Sequence, residues 1–183
     1  LEAGHREIIF VPDCYLGANT ARQLGVRFWA AGGEEECPPA GDGPLVIGWR
    51  ARCEVHELFT PEDVDHVRRQ YPHAVVLAHP ECSPEVIAKV DIAGSTKLMV
   101  DYVREAPGRP IALFTECAMG DNMAAEFPGR ELIRSCALRC RHMNTITLED
   151  TLRSLQTLTP RVELDPDIIE KARRPIDRML AIC

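Results

Sequence analysis

The chain has 183 residues, of which 45% are hydrophobic and 27% charged, enough for one average globular domain or two small ones with a core that needs no staples. Its formal charge is −7 and no basic run is longer than the pair Arg173-Arg174, so a polyanion would meet repulsion and nucleic acid is excluded as an expected partner. No apolar stretch approaches bilayer length and no charged-then-apolar leader opens the sequence, which therefore reads as cytoplasmic with no membrane partner.

The first apolar run, Ile8-Ile9-Phe10-Val11, predicts a strand. Residues 32–44 carry Gly, Pro and the acidic run Glu34-Glu35-Glu36, and predict an exposed loop. Leu45-Val46-Ile47-Gly48 predicts a second strand. Thr60-Pro61-Glu62-Asp63 then sets an N-cap and a fixed first turn for a helix. Ala74-Val75-Val76-Leu77-Ala78 predicts a third strand, and Ser83-Pro84-Glu85 another helix start. Ser95 and Thr96 open a helix that continues through Leu98, Met99 and Tyr102, and Ile111-Ala112-Leu113-Phe114 predicts a fourth strand. A second break spans 135–144. Beyond it, Thr147-Leu148-Glu149-Asp150 resembles a capping box with Asp in place of Glu, opening a helix over 148–158. Arg161-Val162-Glu163 is a candidate short strand, and Asp165-Pro166-Asp167 starts a last helix over 167–182.

The four apolar runs are continuous, which suits strands covered on both faces. Strand and helix alternate, so the expected fold is α/β, with three-layer units around short parallel sheets. There is no tandem repeat and no low-complexity segment.

Eight cysteines exceed what packing requires yet fall short of the roughly 8–10% that marks a disulfide scaffold. In a reducing compartment they are expected to be free, metal-bound or catalytic. Ligands bind at the carboxyl ends of parallel strands, and here three such ends deliver a polar cluster with a cysteine: Arg50 to His56, His79 to Cys82, and Thr115-Glu116-Cys117. Cys53-x-x-His56 offers two metal donors, but a zinc site needs more; Cys136 and Cys140 in the second break are the available additions. Those same thiols suit an iron–sulfur cluster, whose ligands can come from distant loops, and each is alternatively a small buried hydrophobe. Cys14, Cys37 and Cys183 are given that packing role.

His79-Pro80-Glu81 places an imidazole and a carboxylate at a strand end, suited to proton transfer or substrate orientation, or else only to terminating the strand. Ser95 and Thr96 follow Gly94 at a helix N-terminus, a seat for phosphate or carboxylate or else a plain cap. No P-loop, dinucleotide fingerprint or nucleophile elbow is present.

Taken in order, Val11-Pro12-Asp13, Cys53-Glu54-Val55-His56-Glu57-Leu58-Phe59, His79-Pro80-Glu81-Cys82, Gly94-Ser95-Thr96, Thr115-Glu116 and Cys140-Arg141-His142-Met143 resemble quinolinate synthase, the iron–sulfur enzyme family of de novo NAD biosynthesis. The resemblance runs from Ile8 to Leu180. It implies three α/β/α domains in pseudo-threefold arrangement around a [4Fe-4S] cluster, one cysteine from each, with the fourth iron open as a Lewis acid. It also implies a transferase that condenses iminoaspartate with dihydroxyacetone phosphate, releasing water and phosphate to give quinolinate.

By position, the resemblance makes Cys53 and Cys140 the second and third cluster ligands and His56 an active-site histidine. It gives His79 and Glu81 substrate contact and proton transfer, and gives Ser95 and Thr96 the substrate's carboxylate or phosphate. Cys82 lies outside the ligand motifs and is not expected to ligate. Where Cys14 and Tyr15 follow Pro12-Asp13, the family usually has Lys and Asn.

Cys53 and Cys140 are 87 residues apart, so a first ligand at a similar interval would fall ahead of Leu1. The expected organisation is residues 1–52 as part of a second domain, 53–139 as a third, and 140–183 as a ligand loop and helices that pack on a first domain. A chain starting at Leu1 is then a fragment, a processed form or a truncated one, inactive until the missing segment is supplied. Two other readings stand beside this: a degenerate, non-catalytic α/β binding or structural module, and a zinc protein using Cys53, His56, Cys136 and Cys140.

Overall fold

A computed structural model describes the chain except for residues 2–3, 34–36, 39, 107, 136 and 183. The acidic run Glu34-Glu35-Glu36 and two of the cysteines, Cys136 and Cys183, therefore lie outside the described residues. The chain divides into two compact units, Leu1–Cys140 and Arg141–Cys183.

The first unit is α/β, with two short sheets in which every paired strand is parallel. The first sheet comprises β1 (Glu7–Phe10), β2 (Arg27–Ala31) and β3 (Leu45–Trp49), in the order β1-β3-β2. Helix α1 (Cys14–Leu24) lies against it, capped at its start by Asp13 and ended by Gly25, whose φ of 65° is the left-handed turn that glycine adopts without cost. The fit is close: a Cβ on Gly48 would lie 2.5 Å from the Phe28 ring. Continuous apolar runs predict cover on both faces of this sheet, but Ile9 and Trp49 are 79% and 59% exposed. Only the α1 face is covered among the described residues.

The second sheet does have helices on both faces. It comprises β4 (Val75–Ala78), β5 (Ile92–Ala93), β6 (Ile111–Phe114) and β7 (Leu132–Arg134), in the order β5-β4-β6-β7. Alternation along the strands sends Val76, Ala78, Ala112 and Phe114 to one face, where they meet Val64 of α2 (Pro61–Gln70) and Val86 of α3 (Pro84–Ile87). Val75, Leu77, Ile111 and Leu113 face the other way, onto Met99 and Val103 of α4 (Thr96–Glu105) and Met123 of α5 (Cys117–Glu126).

The predicted helix starts are observed. Thr60 and Asp63 form a reciprocal capping box at α2, and Ser83 and Ser95 cap α3 and α4. Three strands escape the pattern of apolar runs. β5 and β7 have two and three residues, too few to show a period, and β2 is Arg-Phe-Trp-Ala-Ala, its aromatic pair set between Gly25 and Gly32. One assignment is corrected: Cys37 is exposed and so is no packing residue, whereas Cys14 is buried.

The second unit holds α6 (Leu148–Thr157), opened by the Thr147/Asp150 capping box, and α7 (Pro166–Leu180), opened by Asp165. Residues 161–163 form no strand. Neither helix has a buried residue, and Leu148, Leu155, Ile168 and Ile176 are among its exposed apolar side chains. No helix among the described residues is long and apolar enough to cross a membrane.

Candidate functional site

The strand ends carry the chemistry. Beyond β3 the chain passes Cys53 and turns into a short 3-10 helix, His56–Leu58, which places His56 one turn after the thiol. Beyond β4 it reaches His79, Pro80 and Glu81 before α3 begins. These two segments meet. His56 Nδ1 lies 2.9 Å from Glu81 Oε2 and 3.1 Å from Cys53 Sγ, and the shorter contact to a carboxylate assigns the Nδ1 proton to Glu81. His56 Nε2 then accepts from the Thr115 hydroxyl at 3.2 Å. The His56 and His79 rings stack with centroids 4.5 Å apart. One donor atom from each of Cys53, His56 and Glu81 falls within 4.8 Å of the others, a spacing that suits a single metal ion as well as a shared proton.

Environment separates the two groups of the His-Pro-Glu motif. The hydrogen bond from His56 holds the Glu81 carboxyl below the usual carboxylate range against the opposing effect of burial, so Glu81 is an anion near neutral pH. Burial first, and the adjacent His56 second, lower the His79 pKa. Neutral His79 accepts from the Glu81 amide at Nδ1, 3.4 Å away, which leaves its proton on Nε2. An ionised carboxylate beside a neutral imidazole is a pair able to move one proton.

Burial raises the Cys53 thiol pKa, with smaller opposing hydrogen bonds from the His56 and Val55 amides. Cys82 is fully buried, its thiol pushed up to about 12, and its Sγ faces the Phe114 carbonyl at 3.7 Å. Cys140 is half-buried, and its backbone amide donates to Glu116 Oε1 at 3.0 Å. Glu116 adjoins Thr115, which bonds His56, so Cys140 is tied to the same strand end.

Ser95 and Thr96 are exposed at the start of α4, where Ser95 Oγ accepts from the Leu98 amide as a conventional cap. They do not touch the imidazole pair. Ser95 instead lines a cleft of about 520 Å³ together with Asn19, Arg22, Pro80 and Gly94, and Pro80 is the residue between His79 and Glu81.

Three further residues support the site. Asp13 caps α1 through Oδ1 and takes the Cys53 amide on Oδ2 at 2.8 Å. Asn19 donates to the Pro80 and Cys82 carbonyls at 2.8 and 2.9 Å, fixing the turn that carries Glu81. Thr115 orients His56. The Pro-Asp before a helix was a visible signal for Asp13; Asn19 sits mid-helix and gives none.

The model of the family described as quinolinate synthetase A protein matches residues 1–181. The chain is 42% identical over 180 residues to a quinolinate synthase of Agrobacterium fabrum, a match covering 98% of this chain and 46% of that protein. It is 41% identical to quinolinate synthase 2 of Mesorhizobium japonicum, covering 98% and 49%, and 40% identical to a quinolinate synthase of Xylella fastidiosa, covering 98% and 47%. The chain spans about half the length of the curated relatives it matches. Since the family match runs through nearly every residue, from the β1 strand to the end of α7, the chain belongs to the quinolinate synthetase A protein family.

Proposed function

We propose that this chain carries two thiolate ligands and the acid–base residues of a cytoplasmic quinolinate synthase, a transferase forming quinolinate from iminoaspartate and dihydroxyacetone phosphate. The observation that carries the reading is the meeting of Cys53, His56 and Glu81 within 4.8 Å, with His79 stacked on His56. The two sheets then belong to a second domain (1–52) and a third (53–139), and 140–183 supplies the Cys140 loop and two helices to a pseudo-threefold whole. The remaining thiolate comes from the part of the relatives' length that this chain does not span.

The donor chemistry fits an iron–sulfur cluster. Such clusters take thiolates, and Cys53 and Cys140 are half-buried cysteines, one beyond β3 and one beyond β7, whose backbone amides are each bonded to a carboxylate. When bound, a [4Fe-4S] cluster with one iron free of protein thiolate supplies a Lewis acid for a substrate oxygen or nitrogen. The chain's own residues do the rest. His79 and Glu81 exchange a proton with substrate. His56, held between Glu81 and Thr115, keeps that carboxylate in place. Ser95, Thr96 and the positive end of α4 receive a substrate carboxylate or phosphate.

The test is anaerobic iron and sulfide reconstitution in the presence of the N-terminal half of a relative. Cluster absorption and quinolinate formation support the reading, and the absence of both overturns it.

The mixed sulfur, nitrogen and oxygen set at Cys53, His56 and Glu81 also favours a second reading, a zinc protein using Cys53 and His56 with Cys136 and Cys140. Metal analysis of anaerobically purified protein separates the two: stoichiometric zinc without sulfide supports zinc.

A further inference from the structure

Cys53 and Cys140 both lie in irregular chain just past a strand, where neither a helix nor a sheet ladder holds the thiol's backbone. Both amides are nevertheless bonded, and in both cases to a carboxylate that has another task. Asp13 Oδ1 accepts from the Leu16 amide at 2.7 Å, capping α1, while Oδ2 accepts from the Cys53 amide at 2.8 Å. Glu116 Oε2 accepts from the Ala118 amide at 2.6 Å, capping α5, while Oε1 accepts from the Cys140 amide at 3.0 Å. Both acids are buried, at 4% and 6% exposure.

Capping a helix needs one oxygen, which Ser, Thr or Asn supplies as well as Asp. Burying a carboxylate is costly unless its oxygens are bonded. Among the common capping side chains, only a carboxylate presents two acceptor oxygens to two N–H groups at once. In both places the oxygen beyond the cap's need goes to a cysteine. The topology is also the same. Asp13 follows β1, whose neighbour β3 leads to Cys53; Glu116 follows β6, whose neighbour β7 leads to Cys140. Parallel neighbours end on the same side of a sheet, so the acid that starts one strand's helix reaches the loop leaving the next.

We infer that Asp13 and Glu116 are paired positioning residues, each using its second oxygen to fix one metal-ligating cysteine against the helix it caps. The inference rests on the reading of Cys53 and Cys140 as ligands, and the experiment separates the two. Site-resolved hydrogen exchange on the full chain is measured for the parent, Asp13→Asn and Glu116→Gln, together with titration by Co²⁺ alone, read through thiolate-to-cobalt absorption. Each amide variant keeps a capping oxygen and turns an NH₂ toward the cysteine amide.

In the parent, both cysteine amides exchange slowly despite their irregular surroundings. Asp13→Asn speeds exchange at Cys53 roughly ten- to a hundredfold and leaves Cys140 unchanged, and Glu116→Gln does the reverse. Each variant weakens cobalt binding about tenfold or more through its own cysteine. The variants report on different cysteines, so either one that folds decides the matter, and the parent's protection is measured without any variant. Unprotected parent amides, or exchange unaltered by the variants, overturn the clamps. Faster exchange with unchanged cobalt affinity reduces them to helix caps and overturns the positioning role. A parent chain with no thiolate-to-cobalt band contradicts the metal centre itself and the inference with it.

Discussion

In the four-stranded sheet Val76 and Leu77 point to opposite faces and both are fully buried, whereas in the three-stranded sheet Phe10 packs toward α1 while its neighbour Ile9 stands 79% exposed. The two sheets share their parts: parallel pairing, an acid that caps a helix after one strand, and a cysteine loop after the next. They differ in closure. The second sheet has a helix pair on each face, and among the described residues the first is covered by α1 on one face. An apolar run therefore marks a strand reliably but does not say how many of its faces are covered in a given chain. The site draws on both sheets, taking Asp13 and Cys53 from the open one and His79, Glu81 and Thr115 from the closed one.

Substitutions on the two sheets should separate accordingly. Leu77→Ala, in the closed core, is expected to destabilise the first unit by about 2–5 kcal/mol in denaturant unfolding. Asn19→Leu removes two donors from the turn carrying Glu81 and is expected to cost about 1–3 kcal/mol, with faster amide exchange at the turn. A loss below that range would show that the two Asn19 bonds do not hold that turn in solution. Thr60→Ala, at the capping box of α2, should cost about 1 kcal/mol. Ile9→Ala, on the open face, should change stability by less than about 0.5 kcal/mol. A larger loss there would mean that the open face is covered in solution.

Acid titration gives a further contrast. Because Glu81 is held below its ordinary pKa in the folded chain, it stabilises the fold above the usual carboxylate range, and that contribution is lost as pH falls through its lowered value. Glu81→Gln should flatten this part of the stability profile. An unchanged profile would show that the contact with His56 does not persist in solution.

Much of this was legible in the sequence, for local reasons. Thr60-Pro61, Ser83-Pro84, Thr147 to Asp150 and Asp165-Pro166 write helix starts into four residues or fewer, and the structure shows every one. The strands Leu45–Trp49 and Ile111–Phe114 are long enough to stand out as apolar runs. Leu132–Arg134 and Ile92–Ala93 are strands because a neighbour offers them a ladder, which no short window reveals. The site divides similarly. Cys53, His56, His79 and Glu81 stood out because metal donors and imidazoles follow strand ends. The bonds from Asn19 to Pro80 and from Glu116 to Cys140 span 61 and 24 residues, and only folding brings those groups together.

The central claim is that Cys53 and Cys140 hold an iron–sulfur cluster beside the His56–Glu81 pair. The most direct measurement is the iron and sulfide bound after anaerobic reconstitution with the N-terminal half of a relative, compared among the parent chain, Cys53→Ser and Cys140→Ser. The account predicts cluster absorption and bound sulfide in the parent and their loss in both variants. Equal iron and sulfide in all three proteins would contradict it.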